Sequence, residues 1–303
     1  MPELPEVETT VKGLNAKVLN RTFVSVWSDW KKLVKKPKDF LQFEKQIKNK
    51  KIIKIWRRAK NIIFDLSGGL SLLVHQKMTG HMLVGKWSRH SGIPPEAGSI
   101  WKPIKEGPLN DPYNRFLHLI FFLDNKEMIA LSDARKFAKV ELWEKKELES
   151  ELKKIGPEPL EKSFTFEKFK ENLLWQNPPS PRLRQGTVKQ ILMVPEVIAG
   201  IGNIYASEIL WWAKVHPQKS VAKLNEKELR LIYKAIKSVL QKAVKLGGES
   251  FSDYRKPDGT KGDFDTERRV YKREGQKCGR CSVKIKRIKF GGRSTFFCPK
   301  CQS

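Results

Sequence analysis

No run of about 18 apolar residues, the length a membrane-crossing helix needs, occurs in the 303-residue chain. A secretory leader is missing too: Met1-Pro2-Glu3 is acidic where a leader is basic, and no apolar core segment follows. The chain is therefore expected to be cytoplasmic, with no membrane partner. Cysteine is absent from the first 277 residues, and all four cysteines fall within the last 26, in two pairs. In a reducing compartment such clustering favours a metal site over disulfides. Acidic residues are scarce beside basic ones, 33 Asp+Glu against 60 Lys+Arg, for a formal net charge of +27 and a pI near 9.9. That imbalance points to a polyanion, nucleic acid before an acidic membrane surface. The length is too great for one small core and comfortable for two domains.

The opening octet, Met1-Pro2-Glu3-Leu4-Pro5-Glu6-Val7-Glu8, concentrates chemistry. Met1 precedes a small residue and is expected to be removed, which leaves Pro2 first and its nitrogen a secondary amine. No side chain offers that group. Its attack on a carbonyl-like carbon gives a charged iminium, a Schiff base that acts as an electron sink. An unperturbed α-amine titrates near about 7.7–8.0, and the positive end of a helix lowers that value. Proline suits a helix's first turn, so the octet predicts a helix that continues through Val11–Val18 with Pro2 in its first turn. Glu3 and Glu6, three apart, then share one face, where a carboxylate can serve as acid or base in the same step. An ordinary Pro/Glu-rich helix start has the same composition, and these residues alone do not separate the two readings.

Alternating apolar residues predict strands at Thr22–Trp27, Ile52–Trp56, Ile62–Leu66, Leu70–His75, Met82–Val84, Leu117–Leu123, Met128–Leu131 and Ala138–Leu142. Turn signals such as Ser67-Gly68-Gly69 and Asp124-Asn125 separate them. The pattern predicts an antiparallel β-sandwich with the first helix beside it. A Pro/Gly/Trp-rich loop at 85–115 interrupts the strands, and a loop of that length is either functional or disordered. Ile155-Gly156-Pro157-Glu158-Pro159-Leu160 reads as a stiff hinge. Beyond it Phe164–Leu174 is helical in period, Pro178-Pro179-Ser180-Pro181 breaks the chain, and the remainder to Gly247 predicts helix. Arg255–Arg268 is polar and Gly-containing and reads as mobile.

In Gly200-Ile201-Gly202-Asn203 the glycines leave backbone N–H groups free to face a phosphate, and Asn203 adds a donor at the mouth of a helix. Arg184 and Lys189, upstream, extend the same basic surface. A helix C-cap followed by an N-cap would look alike. Cys278-x2-Cys281 and Cys298-x2-Cys301, sixteen residues apart, have the spacing of four thiolates around one tetrahedral zinc. Four protein ligands close such a site, so the zinc is structural and supports local folding. Between the pairs, Ile285–Phe290 and Ser294–Phe297 flank Gly291-Gly292 as a β-hairpin.

Nearly the whole chain, except the 85–115 loop, resembles the formamidopyrimidine-DNA glycosylase family. Met1 through Thr9 is similar to the family's amino terminus. Arg57-Arg58-Ala59-Lys60-Asn61 resembles its Arg-Arg-Ala-Lys-Tyr, and His75-Gln76-Lys77-Met78-Thr79-Gly80 its His-Leu-x-Met-Ser/Glu-Gly. Ser132-Asp133-Ala134-Arg135-Lys136-Phe137 resembles Thr-Asp-Pro-Arg-Arg-Phe, departing at Ala134 and Lys136. The hinge matches Leu-Gly-Pro-Glu-Pro-Leu, and Gly200–Leu210 stays in family register for eleven residues. Gly247–Tyr254 resembles Gly-Gly-Thr-Thr-Leu-x-Asp-Phe, the start of a loop that in the family closes over a flipped base. Val270-Tyr271-Lys272-Arg273 resembles Val-Tyr-Gly-Arg, with Lys272 in place of the glycine.

The resemblance implies an α+β fold of two domains: an N-terminal antiparallel β-sandwich with flanking helices, and a C-terminal helix–two-turn–helix domain with a zinc-finger hairpin. The expected divisions are 1–154, a hinge and first helix at 155–182, the helical domain at 183–267 and the zinc finger at 268–303. It further implies a glycosylase and abasic-site lyase acting on oxidised purines in duplex DNA, as a monomer near the nucleoid. Pro2 would be the nucleophile, Glu3 and Lys60 would assist proton transfer, and Arg293 would clasp the phosphates at the lesion. Met78, Arg135 and Phe137 would fill the stack a damaged base has left. His75, Arg184, Lys189, Asn203 and Tyr271 would hold the DNA. His118, near the position of a DNA-contacting histidine of the family, reads as a strand residue. Two alternatives remain: an endonuclease VIII-like enzyme for oxidised pyrimidines, and a non-catalytic zinc-finger binder of damaged DNA.

Overall fold

Leu4–Val18 forms helix α1 because Val7, Val11, Leu14 and Val18 recur on one face, and all four are buried. Its start differs from expectation. Glu3 is the N-cap, Pro5 occupies the first turn, and Pro2 lies just ahead of the cap. Both prolines suit a helix entrance, and the cap goes to Glu3 because it closes a reciprocal box with Glu6. The Glu3 side chain accepts the Glu6 N–H, and Glu6 Oε2 accepts the Glu3 N–H at 2.6 Å.

The computed structural model describes residues 1–89, 100–174, 186–250 and 253–303. Arg184 and the Pro178–Pro181 break lie outside the described residues. Two compact units emerge: Met1–Leu152 with Leu246–Asp265, and Lys153–Lys245 with Thr266–Ser303. The first unit thus takes in a segment that the sequence groups with the helical stretch 183–267.

In the first unit the strands are β1 Phe23–Ser28, β2 Val34–Lys36, β3 Ile52–Arg58, β4 Asn61–Leu66, β5 Leu70–His75, β6 His81–Gly85, β7 Trp87–Arg89, β8 Trp101–Pro103, β9 Leu117–Leu123, β10 Met128–Ser132 and β11 Lys139–Glu144. They build a four-stranded sheet in the order β1-β9-β10-β6 and a five-stranded sheet in the order β2-β11-β5-β4-β3. Helices α2 (Phe40–Ile47) and α3 (Lys145–Leu152) flank them. The inward faces of the two sheets, among them Phe23, Phe121 and Ile129 from one and Ile62, Phe64 and Val74 from the other, share one core with α1. One pairing departs from the antiparallel expectation: the short edge strand β2 runs parallel to β11.

Of the 85–115 insertion, residues 90–99 lie outside the described residues, and the rest has structure of its own. β7 pairs with β8, Trp101 packs edge-on against Trp27 at 5.5 Å, and 3₁₀ turns span Pro108–Asn110 and Pro112–Arg115. His118 is in β9, as read, and its Nδ1–H donates to the Asp29 carboxylate at 2.9 Å.

The second unit carries α4 (Phe166–Leu173), α5 (Val188–Leu192), α6 (Asn203–Ala213), α7 (Glu226–Lys245) and the hairpin β12 (Lys286–Phe290)–β13 (Arg293–Phe297). Turns separate the helices of the stretch to Gly247. Among the described residues no helix is long and apolar enough to cross a membrane.

Candidate functional site

In the first unit, Pro2, Glu3 and Glu6 are all buried. Glu6 uses both oxygens: Oε2 on the Glu3 N–H, and Oε1 on the Glu249 N–H at 2.8 Å. The two carboxylates therefore sit fixed beside the Pro2 peptide. The β3–β4 hairpin is tied to the same helix, because Arg57 Nε donates to Glu8 at 2.8 Å and Asn15 donates to the Ile55 carbonyl. Lys60 sits in its two-residue turn, where Arg58 pairs with Asn61 and Ala59 takes a left-handed φ of +53°.

His75 faces Asn61 in register and ends its strand beside Lys139. Burial, with the charges of Lys77, Lys60 and Lys139, lowers its pKa to about 3. The Lys77 N–H donates to His75 Nδ1 at 3.0 Å, which leaves the ring hydrogen on Nε2. The ring is thus a neutral donor. Next to it Gln76 is buried with neither amide atom hydrogen-bonded among the described residues. That costs about 1–3 kcal/mol, at a position where the family pattern has leucine.

The structure joins the loop that carries Met78 to the loop that carries Arg135 and Phe137. The Met78 side chain is 42% exposed and Phe137 53% exposed. The Arg135 guanidinium lies 4.5 Å over the Phe137 ring. Buried Asp133 joins their two loops: it accepts from Thr79 Oγ1, from the Arg135 N–H and from the Ala138 N–H at 2.7 Å. Nothing local in Ser132–Phe137 signals this task for Asp133.

In the second unit a cap glycine, Gly202, opens α6, and Asn203 follows it. Its Nδ2 donates to the Ser294 carbonyl at 3.1 Å, so part of the expected phosphate donor already braces β13. Lys189 needs correction. It is 1% exposed, and its Nζ donates to Thr295 Oγ1 at 3.0 Å; it supports the hairpin from beneath and extends no basic surface. Arg293 is exposed at the start of β13, after a turn whose Gly291 and Gly292 have φ of +54° and +72°. Both central residues at positive φ is the type I′ geometry that glycine allows.

Tyr271 donates its N–H to the fully buried Glu208, which also takes the N–H groups of Arg269 and Val270. Burial raises the Glu208 pKa even against those donors. Its signal in the sequence is a lone charged residue in the largely apolar Asn203–Ala213. Lys272 has φ of +54°, which accounts for the glycine of the family pattern at that place.

The four cysteine sulfurs lie within 4.8 Å of one another, Cys278 to Cys301 at 3.9 Å and Cys281 to Cys298 at 3.4 Å. Bonded sulfurs would be ~2.05 Å apart, whereas four thiolates at ~2.3 Å from one zinc stand near these spacings. The Trp211 indole N–H and the Cys301 N–H point at Cys278 and Cys298 sulfurs, both at 3.4 Å, as second-layer donors to a thiolate site do. Residues Cys278, Cys281, Cys298 and Cys301 form a site for one structural zinc.

Three family descriptions match in chain order: "Formamidopyrimidine-DNA glycosylase N-terminal domain" at residues 1–140, its "H2TH domain" at 155–255, and "Zinc finger found in FPG and IleRS" at 275–303. A formamidopyrimidine-DNA glycosylase of Pelotomaculum thermopropionicum is 34% identical over 304 residues, covering 100% of this chain and 99% of the relative. Among solved structures, a Lactococcus lactis Fpg in complex with DNA containing an abasic site superimposes with a TM-score of 0.81 at 32% identity, covering 99% of both chains. A MutM bound to DNA containing carbocyclic 8-oxo-G gives 0.81 at 32% identity over 100% of both.

Proposed function

The chain belongs to the formamidopyrimidine-DNA glycosylase family, and we infer that it excises 8-oxoguanine and formamidopyrimidines from double-stranded DNA and cleaves the strand at the abasic site. It is a DNA glycosylase and abasic-site lyase of base excision repair, at work in the cytoplasm on the nucleoid, as a monomer. Once Met1 is removed, the Pro2 nitrogen attacks C1′ of the flipped nucleotide. The bond from C1′ to the base breaks, the base leaves with a proton, and Glu3 assists opening of the sugar ring. The resulting iminium acidifies C2′–H. Loss of that proton expels the phosphate on O3′ as C3′–O3′ breaks, and loss of the C4′ proton expels the phosphate on O5′ as C5′–O5′ breaks. Water hydrolyses the iminium to free Pro2 and an unsaturated aldehyde, leaving a one-nucleoside gap with phosphate on both sides.

Lys60 assists proton transfer and holds a phosphate. Arg293 clasps the lesion phosphates, with Arg184, His75, Asn203 and Tyr271 on the flanking backbone. Met78, Arg135 and Phe137 offset the lost stacking. The zinc holds the hairpin that presents Arg293.

The observation that carries this reading is the pair of buried carboxylates, Glu3 and Glu6, locked in a capping box directly after Pro2. Buried carboxylates are costly unless partnered, and here they are held where an amine nucleophile needs an acid. Borohydride trapping on duplex DNA with an abasic site is the test. The methionine-trimmed protein should form a covalent adduct, and retained Met1, which makes the Pro2 nitrogen an amide, should abolish it. Tight binding with no adduct from the trimmed protein would leave only a zinc-bearing DNA binder. Comparing excision of 8-oxoguanine and thymine glycol separates the purine-directed enzyme from an endonuclease VIII-like one.

A further inference from the structure

The insertion between β6 and β9 holds a charged pair that the reaction does not use. Arg255 is 1% exposed, and a guanidinium cannot shed its charge to ease burial. Its partners come from the insertion: Asp111 Oδ2 lies 3.0 Å from Nε, and the Tyr113 ring lies 4.6 Å beneath the guanidinium. Asp111 Oδ1 in turn accepts the Tyr113 N–H at 2.9 Å. Asn114 donates to the carbonyls of Pro108 at 2.9 Å and Gly259 at 3.3 Å, and its Oδ1 accepts from His81 Nε2–H at 2.9 Å. At Gly259 a Cβ would come 2.7 Å from the Pro108 backbone. The Arg255–Gly259 part of the stretch Arg255–Arg268, expected to be mobile, is therefore held down along one side by the insertion.

Its other side meets α1. Arg255 Nη1 donates to the Tyr254 carbonyl at 2.8 Å, and the buried Tyr254 hydroxyl donates to the Glu6 carbonyl at 3.0 Å. Pro257 packs on Gly13, where a Cβ would come 2.8 Å from the ring. Glu249 donates to Glu6, and Glu6 takes the Glu3 N–H. A continuous set of contacts thus runs from the insertion to the residue that follows Pro2.

We propose that the insertion is a brace: through the Asp111–Arg255 pair it sets the position of the first turn of α1, which makes both residues positioning residues for attack by the Pro2 amine. The proposal rests on the Schiff-base reading above. Neither residue contacts the reacting atoms, so the brace should affect the rate of attack and not DNA affinity.

The test is single-turnover borohydride trapping with the mature full-length enzyme in excess over abasic duplex, together with hydrogen exchange of peptides covering residues 2–10 in the free protein. Asp111→Asn keeps the cap on Tyr113 and removes the charge. It should slow trapping about tenfold at saturation, shift the half-saturating concentration less than about twofold, and speed exchange in residues 2–10. Asp111→Glu should recover most of the rate. Tyr113→Leu, at an exposed ring, should give a smaller loss in the same direction, and it carries the test if Asp111→Asn does not fold. Wild-type trapping rate and wild-type exchange in these variants would overturn the brace, as would a loss confined to affinity. Absence of any adduct from the wild type would instead sink the Schiff-base reading, and the exchange measurement would still decide the brace.

Discussion

His81 shows how one side chain can be assigned a state from its neighbours. Asn114 spends both amide hydrogens on carbonyls, so its oxygen must accept and the His81 ring must donate from Nε2. A neutral ring meets that need, and burial lowers the His81 pKa to about 4; the Thr79 carbonyl, 3.4 Å from Nδ1, takes a hydrogen only from the protonated ring. The unfolded chain takes up a proton near pH ~6.5, whereas the folded chain resists it until about pH 4. Stability is then full above pH ~6.5 and declines as pH falls toward 4, by on the order of 3 kcal/mol for this group. His81→Gln should lose stability at pH 7.5 but flatten that decline, read as urea midpoints across pH 4–8. Parallel curves for the two proteins would show that His81 does not carry the acid response.

At the level of elements, apolar runs bounded by turn residues located the long strands: β11 alternates, whereas β4, β5, β6, β9 and β10 are buried on both faces and read as nearly continuous apolar runs. Strands β2, β7 and β8 escaped this reading. Each has three residues, too few for a period, and β2 also depends on a partner, β11, about a hundred residues away. The contacts of Glu6 with Glu249 and of Asp111 with Arg255 were illegible for the same reason: no local pattern encodes a partner more than a hundred residues away. Pro2 falls just ahead of the cap and not within the first turn, because Pro5 satisfies the same local rule. The zinc hairpin was legible, since ligand spacing and the Gly-Gly turn are local. Its packing was not: Lys189 and Asn203 both reach it from helices. The hairpin is therefore held at its base by metal and on its side by two polar bonds, and the metal is the larger contribution. Chelation, or Cys298→Ala, should remove one zinc per chain, free Arg293 and weaken duplex binding about ten- to a hundredfold, the worth of a charged hydrogen bond. Metal analysis and anisotropy check this, and full binding by the zinc-free protein would refute it.

For the molecule as a whole, a net charge of +27 suggests a very steep dependence of DNA binding on salt, but the structure argues for a gentler one. Counterions are released only where a cation neutralises a phosphate. Several cations are already matched internally, such as Arg57 with Glu8, Arg255 with Asp111 and Lys219 with Glu228, and Lys189 is buried. Of the residues proposed to touch the backbone, Asn203 and Tyr271 are neutral and His75 is held neutral by burial and its three lysine neighbours. The charged contacts reduce to Lys60, Arg184 and Arg293, for a slope of log affinity against log salt near about −3 from these three. Arg293→Ala should therefore make the slope shallower by about 0.9 as well as weaken binding. His75→Ala should weaken binding through loss of its hydrogen bond while the slope stays as it was. Anisotropy titrations from 50 to 200 mM salt distinguish them. Equal changes of slope in the two variants would mean that the imidazole is protonated against the phosphate, and that DNA supplies the negative charge needed to overcome its burial.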